Sequence, residues 1–349
     1  MTDLTIVVPS FERPTALRRA FDYWSDSKFS VHIVDGSSSR TELPKSHNVE
    51  YEHRPNVPMN TRIIDALLSV KTEIVALCAN DDFVGFNALT KASDFLTSNH
   101  EYSAVMGWGP TYSYDGRTLG WNFPDFETEK FNITNSDPLE RILKIFSPYQ
   151  QMFWSVSRRD VLIDTYQSIP DVSSHLFQEI NHTVIVALCG HARNLPLLYN
   201  ARDRTPGVSI VDTNRTSFDE WTKDSTTWQE LENWKDAVCK IALERSITTS
   251  TEQIRKTLDK ILQICAAADK SIKPLPPSLR QQLHEFISRA VPKKLKQRRW
   301  SRSLAQARIA DYPLAKDHPN HAGDTSSWDN AREDWSRIRD SILSHEPAN

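Results

Sequence analysis

Over its first two hundred residues the chain alternates between two hydrophobic periods, and few folds accommodate that pattern. "LTIVVPS" and "FSVHIVDG" are short β-branched runs, continuous enough to be strands buried on both faces. Between them, "RPTALRRAFDYW" places Leu17, Phe21 and Trp24 at helical spacing. The alternation continues with a strand at "VEYEHR", a helix at "NTRIIDALLSV", a strand at "TEIVALCAN", a helix at "FNALTKASDFLTSN" and a strand at "YSAVMGW". Strand-helix alternation of this kind predicts an α/β fold, a mainly parallel sheet with helices on its faces. After Trp108 the pattern changes. "TYSYDGRTLGWNF" reads as a hairpin turning at Asp115-Gly116, the start of an aromatic-rich insertion expected to wall a pocket. A helix at "DPLERILKIF", a strand at "QMFWSVSR", a helix from about Ser173 to Cys189 and a strand at "NLPLLYNA" would complete the domain.

Beyond about residue 213 the β signal disappears. "SFDEWTKDSTTWQELENWKDAVCKIALER", "STEQIRKTLDKILQICAAAD", "PPSLRQQLHEFISRAV" and "NAREDWSRIRDSIL" read as helices opened by Ser or Pro. The expected organisation is therefore a domain over 1–212 and a helical C-terminal region over 213–349. A net charge of -3 argues against a nucleic-acid binder. One basic stretch, "VPKKLKQRRWSR" from Val291 to Arg302, reads either as a solvated helix end or as a segment adsorbing to anionic membrane. The four cysteines are far apart and show no C-x-x-C spacing, Met1 is followed almost at once by a strand, and no run approaches the length of a membrane span. A cytoplasmic protein, at most peripheral to the inner face of the membrane, is the expectation. The N-x-[ST] triplets at Asn132, Asn181 and Asn214 would then carry no glycan.

In open α/β sheets ligands bind beyond the carboxyl ends of the strands. Three of those ends are distinctive: Pro9-Ser10-Phe11-Glu12-Arg13-Pro14, Asp35-Gly36-Ser37-Ser38, and Asn80-Asp81-Asp82. The chain has only nine glycines, none forming a cradle after the first strand, which argues against P-loop or dinucleotide chemistry. Adjacent acids at a strand end repel each other unless a divalent cation or a set of ligand hydroxyls compensates them. Taken singly, "NDD" is a common turn or helix cap, and "DGSSS" is a loop of default turn formers.

Taken in order, "IVVPSFERP", "IVDGSSS" and "VALCANDDF" resemble the three opening signatures of the A-type (GT-A) nucleotide-sugar glycosyltransferases, family 2 and its bacterial polysaccharide-assembling relatives, over about the first 210 residues. The resemblance implies a Rossmann-like mixed sheet flanked by helices, with the C-terminal helices as an appendage. It implies that Pro9, Ser10, Glu12, Arg13 and Asp35 hold the nucleoside, and that Arg62 stands near the phosphates. Asn80-Asp81-Asp82 would be the D-x-D element, with an amide in place of its first acid. Asp82 would hold a divalent metal, Mn2+ or Mg2+, while Asn80 and Asp81 face the donor. The partners implied are a nucleotide-diphosphate sugar and a glycan or lipid-linked glycan acceptor.

Inverting transfer needs a base for the acceptor hydroxyl. The family places it near the start of a late helix, where "PDVSSHLFQEINHTVIVALCG" offers Glu179, with Asp171 and His175 as alternatives. Glu179 has a second reading as an acid complementing a helix N-terminus. A late metal-binding His has no match, and Arg202, Asp203 and Arg204 stand there instead. Two other readings stay open: a sugar nucleotidyltransferase, which would lack its Gly-rich loop, and a degenerate, non-catalytic domain acting as a glycan-binding or scaffolding module. Of the aromatics Trp108, Tyr112, Tyr114, Trp121, Phe123, Tyr149 and Trp154, most are expected to pack, with one or two left to stack on a sugar.

Overall fold

β1 (Leu4–Ser10) is buried along its whole length, as an unbroken apolar run requires when helices cover both faces of a sheet. Leu4, Ile6 and Val8 join Leu17, Phe21 and Trp24 of α1 (Pro14–Ser25) in one core, while Val7 packs with Ile63, Ala66 and Leu67 of α2 (Met59–Ser69) in another. The computed structural model describes residues 4–116, 119–122, 131–169, 174–205, 218–225, 227–247, 250–271 and 325–345.

The remaining strands are β2 (Ser30–Asp35), β3 (Val49–His53), β4 (Ile74–Leu77), β5 (Phe83–Val84), β6 (Tyr102–Trp108), β7 (Thr111–Tyr114), β8 (Leu119–Asn122), β9 (Asn132–Ile133), β10 (Val156–Arg158), β11 (His191–Leu198) and β12 (Asn200–Asp203). The main sheet runs β3-β2-β1-β4-β10-β6-β11-β9. β10 and β9 are antiparallel to their neighbours, and the other contacts in the sheet are parallel. The strand order turns back at β1, with β2 on one side and β4 on the other, and at such a switch point open α/β sheets bind their ligands beyond the strand ends, here the ends that carry Ser10 and Asn80. A smaller sheet, β5-β12-β7-β8, stands at that same edge. It contains the expected hairpin, with Tyr114 opposite Leu119 and Gly116 at φ 81, a conformation glycine takes without penalty.

The helices that follow β4 are α3 (Phe86–Ser98), α4 (Pro138–Ile145), α5 (Arg159–Gln167), α6 (His175–Cys189), α7 (Phe218–Lys223), α8 (Trp228–Glu244), α9 (Thr251–Ser271) and α10 (Thr325–Ser344). Two places depart from the sequence reading: the segment "SFDEWTKDSTTWQELENWKDAVCKIALER" is divided between α7 and α8, and α5 replaces part of an expected strand. The strand expected over "QMFWSVSR" shrinks to Val156–Arg158 and is followed at once by α5, whose buried Val161, Leu162, Thr165 and Tyr166 carry a helical period. The basic stretch from Val291 to Arg302, the helix expected at "PPSLRQQLHEFISRAV", Asp171, Ser173 and Asn214 lie outside the described residues.

The C-terminal helices do not form a core of their own among the described residues. Trp221, Trp234, Val238, Ile254, Leu258, Ile338 and Ile342 belong to the cluster that contains Ile6 and Trp24. A buried polar contact fastens this join. Trp234 Nε1 donates to Asn181 Oδ1 at 2.7 Å, and Asn181 Nδ2 donates to Thr165 O at 2.8 Å and to Ser168 Oγ at 3.1 Å. Asn181 is 0% exposed, so folding closes its N-x-T triplet to any modifying enzyme. None of the helices among the described residues is long and apolar enough to cross a membrane. Asn181→Ala strands an indole N–H and a main-chain carbonyl in the interior, and should cost about 3 kcal/mol in urea unfolding. A loss under about 1 kcal/mol would show that the join does not depend on this contact.

Candidate functional site

The ends of β1 and β2 are laced together. Gly36 N donates to Ser10 O at 3.0 Å, Glu12 N to Ser37 Oγ at 2.7 Å, and Ser38 N to Glu12 Oε1 at 2.7 Å. These bonds hold Glu12 at φ 53, a backbone conformation that costs a non-glycine residue energy. Phe11 stands beside it, 51% exposed. Asp35 is fully buried: Oδ1 accepts from Ser37 N and Ser37 Oγ, and Oδ2 accepts from the Tyr51 hydroxyl at 2.9 Å. Its carboxylate therefore shapes the Gly36–Ser38 turn from beneath. Arg62 is also committed to the backbone. Its Nη1 donates to Ser10 O at 3.0 Å and to Val34 O, and its Nε donates to Val57 O at 3.0 Å. The guanidinium lies so close under Gly36 that a Cβ there would come within 2.6 Å of it. Burial lowers the Arg62 pKa, and these carbonyls are what keep the buried cation satisfied.

The acid loop after β4 meets this turn across the crevice, where Asn80 Nδ2 donates to Ser10 Oγ at 3.0 Å. Asp81 is ion-paired with Arg13, and its main-chain carbonyl accepts from Arg19 Nη2 and the Tyr112 hydroxyl, both at 2.9 Å. Asp203 accepts from Arg19 Nη2 at 3.3 Å and from Thr205 N at 2.9 Å. Asp82 differs from both. Its Oδ1 accepts Asp203 N–H at 2.9 Å, but among the described residues it has no ion pair. Burial, then the charge of Asp81 beside it, pushes Asp82 up to about 7, against the opposing pull of Arg202 and the Asp203 N–H. Burial also raises Asp81, with Arg13 opposing. An acid held this reluctantly as a carboxylate fits a ligand that brings positive charge or hydrogen-bond donors.

No group of three or more His, Cys, Asp or Glu among the described residues is arranged to hold a metal ion. With Asp81 committed to Arg13 and Asp203 to Arg19 and Thr205, Asp82 remains as a single carboxylate. That set fits Mg2+ or Mn2+ held jointly with ligand phosphates, as hard, strongly hydrated ions are, and does not fit a preformed protein cage.

On β12, Arg202 Nη1 donates to Gln151 Oε1 at 2.8 Å, while its Nε is buried without a hydrogen-bond partner among the described residues. The charge of Arg202 acts on both Asp82 and Tyr149, and Tyr149 also feels Glu179. Glu179 is half-buried in the first turns of α6, whose N-terminus is capped by Ser174 accepting from Phe177 N at 3.3 Å. The structure thus brings Ser10, Glu12, Arg13, Asn80, Asp81 and Asp82 to one edge, while Glu179 belongs to α6. Asp35 and Arg62 lie beneath, bonded to protein. Of the aromatics named from the sequence, most of them expected to pack, Trp108, Tyr112 and Tyr114 are buried, Trp121 and Trp154 are half-buried, Tyr149 is 36% exposed and stacked on Phe146, and Phe123 lies outside the described residues. The roles of Arg19 and Gln151 have no signal in the sequence, because neither lies in a strand-end motif.

No protein-family model matches the chain, and no curated protein matches it. Solved structures do. S. aureus TarS 1-349 in complex with UDP-GlcNAc is 15% identical, with a TM-score of 0.51, and the match covers 98% of this chain and 91% of that one. The same S. aureus fragment, alone and in complex with UDP, aligns over the same shares at 14% identity with TM-scores of 0.48 and 0.47. The fold is the expected GT-A type, a mixed sheet flanked by helices with further helices at its C-terminal end.

The electrostatics of Asp82 can be tested directly. A carboxyl whose folded pKa lies near 7 and whose unfolded pKa lies near 4 binds its proton more tightly in the native state. Stability therefore falls as pH rises through that window, and the whole penalty is present above it. Asp82→Asn keeps an oxygen for Asp203 N–H and removes the charge. It should raise the melting temperature at pH 8 and leave it nearly unchanged at pH 4. Equal effects at both pH values would refute this account.

Proposed function

We propose that the chain is a glycosyltransferase that moves a sugar from a nucleotide diphosphate to a glycan or lipid-linked glycan acceptor, with inversion. The observation that carries this reading is Asp82, a half-buried acid without an ion pair among the described residues, at the point where the strand order reverses, with Asp81 and its partner Arg13 on one side and the charge of Arg202 acting on it. S. aureus TarS, which shares the fold, is solved with UDP-GlcNAc, and that supports a nucleotide sugar as the ligand class here.

In this reading the turn Ser10–Glu12 and the loop Gly36–Ser38 receive the nucleoside, and Asn80 offers an amide to the ribose. Asp82 holds a divalent cation, Mn2+ or Mg2+, which when bound supplies positive charge beside the diphosphate. Arg202, whose Nε lacks a partner among the described residues, places its guanidinium where the diphosphate gathers charge on leaving. Glu179 takes the proton of the attacking hydroxyl from the opposite side. Tyr149, exposed beside Glu179, offers a face on which an acceptor sugar stacks.

Titration calorimetry against UDP, UDP-GlcNAc and other nucleotide sugars, with and without Mn2+, is the first test. Failure of every nucleotide to bind would end the reading. Binding without nucleotide release, in water or with a panel of glycan acceptors, would favour a non-catalytic module. Glu179→Gln should leave donor affinity within about twofold and cut turnover by a factor of about 100 to 10,000. A fall below about tenfold would return Glu179 to a helix-end acid.

A further inference from the structure

The N-terminus of α3 lies directly after the acid loop, and nothing in its own sequence caps it. Its N-cap is Gly85, which has no side chain to offer the first turn. The cap comes instead from α10. Asp334 Oδ1 and Oδ2 both accept Asn87 N at 3.0 Å, Asp334 Oδ2 accepts Ala88 N at 3.1 Å, and Asn87 Nδ2 donates to Asp334 Oδ1 at 3.2 Å. The carboxylate is 1% exposed, and burial raises its pKa against these donors. Gly85 has an ordinary φ of -64, so its backbone would accept alanine, yet a Cβ there would come to 2.4 Å from Asp334 Oδ2. The glycine makes room for a carboxylate brought from 247 residues away.

The neighbouring residue reaches the same loop from its other side. The Trp335 ring lies 3.9 Å from that of Trp121, which lies 5.4 Å from Tyr112, whose hydroxyl donates to Asp81 O. Between these two approaches the segment from Ala79 to Gly85 is pinned by Gly85 N to Tyr199 O at 2.9 Å and by the Tyr23 hydroxyl to Val84 O at 2.8 Å. α10 itself is fastened beyond the cap by Arg337, 4.6 Å over the Phe86 ring, and by His345 Nε2, 2.9 Å from Asp22 Oδ2.

We propose that Asp334 is a positioning residue for the donor site: by capping α3 from α10 it fixes where the acid loop carries Asp81 and Asp82. This rests on the glycosyltransferase reading for its effect on ligands, but its structural core is independent of any ligand. Glu333 Oε2 accepts only the Asn87 side chain, at 3.2 Å, so a helix end that loses Asp334 loses the carboxylate on its first main-chain N–H groups and frays, and the fraying begins at the residues that hold the loop.

The test uses the full chain and two readouts. In amide hydrogen exchange, Asp334→Ala should speed exchange in Asn87–Leu89 and also in Ala79–Val84, and Asp334→Asn, which keeps one acceptor oxygen, should restore most of the protection. Ile342→Ala, a core truncation on the same helix, serves as the control for general loss of stability and should not speed exchange in Ala79–Val84. In calorimetry, Asp334→Ala should weaken UDP-GlcNAc at least tenfold, and Ile342→Ala by less than twofold. Gly85→Ala should reproduce the effect of Asp334→Ala, and the double variant should be no worse than either single one. Faster exchange confined to Asn87–Leu89, additive effects of the two substitutions, or equal weakening by Ile342→Ala would each overturn the proposal. If the wild-type chain binds no nucleotide, the functional reading fails while the exchange and double-variant results still decide the role of Asp334.

Discussion

The acid-lined crevice depends on one buried cation. Arg19, 1% exposed, projects from α1 to donate to the Asp81 carbonyl and the Asp203 carboxylate, with its guanidinium 5.1 Å from the centre of the Phe83 ring and 5.9 Å from that of Tyr112. A buried guanidinium persists where acceptors and ring faces replace its water. Arg19 in return places a positive charge against Asp203 and the Asp81 carbonyl, while Arg13 and Arg202 oppose the repulsion at Asp81 and Asp82. It also ties α1 to the acid loop and β12, which already meet through Asp203 N–H to Asp82 and the pairing of β12 with β5.

Around that cation the carboxylates divide by environment. Asp35 has both oxygens saturated by hydroxyl and amide donors, and Asp81 has Arg13. These groups are at rest. Asp82 is close to the same charges but has a single backbone donor. The difference lies in their partners, although the residue type is the same.

Much of this was legible in the residues. The two periods define the β1-α1-β2 and β4-α3-β6 units, and their strand ends carry Ser10, Glu12, Asn80, Asp81 and Asp82 to one edge, because a parallel sheet aligns its carboxyl termini. The hairpin was legible too, from Asp115-Gly116 between alternating runs. What sequence cannot carry is commitment to partners. The family resemblance puts Arg62 near the phosphates, and the structure shows its Nε and Nη1 donating to the Val57, Ser10 and Val34 carbonyls, a commitment fixed by how two strand ends splay. α5 escaped notice because its four buried positions span fewer than two turns beside a run that reads as β. The sharing of one core by Trp234, Ile338 and Ile6 depends on packing between distant segments, which local periodicity does not encode.

The trans cap on α3 has a consequence for how the molecule comes into being. Residue 87 and its partner at 334 are separated by 247 positions, and at about 5–20 residues per second a ribosome takes roughly 12–50 s to make the second after the first. Early in that interval β1 has β2 and β4 to pair with, while β10 and β11 of the main sheet are still to be made. Through all of it α3 lacks the carboxylate at its N-terminal end. Completion of the site is thus coupled to arrival of the C-terminal helix, a contact of long sequence separation that closes late because the loop entropy must be met before any stabilisation is returned.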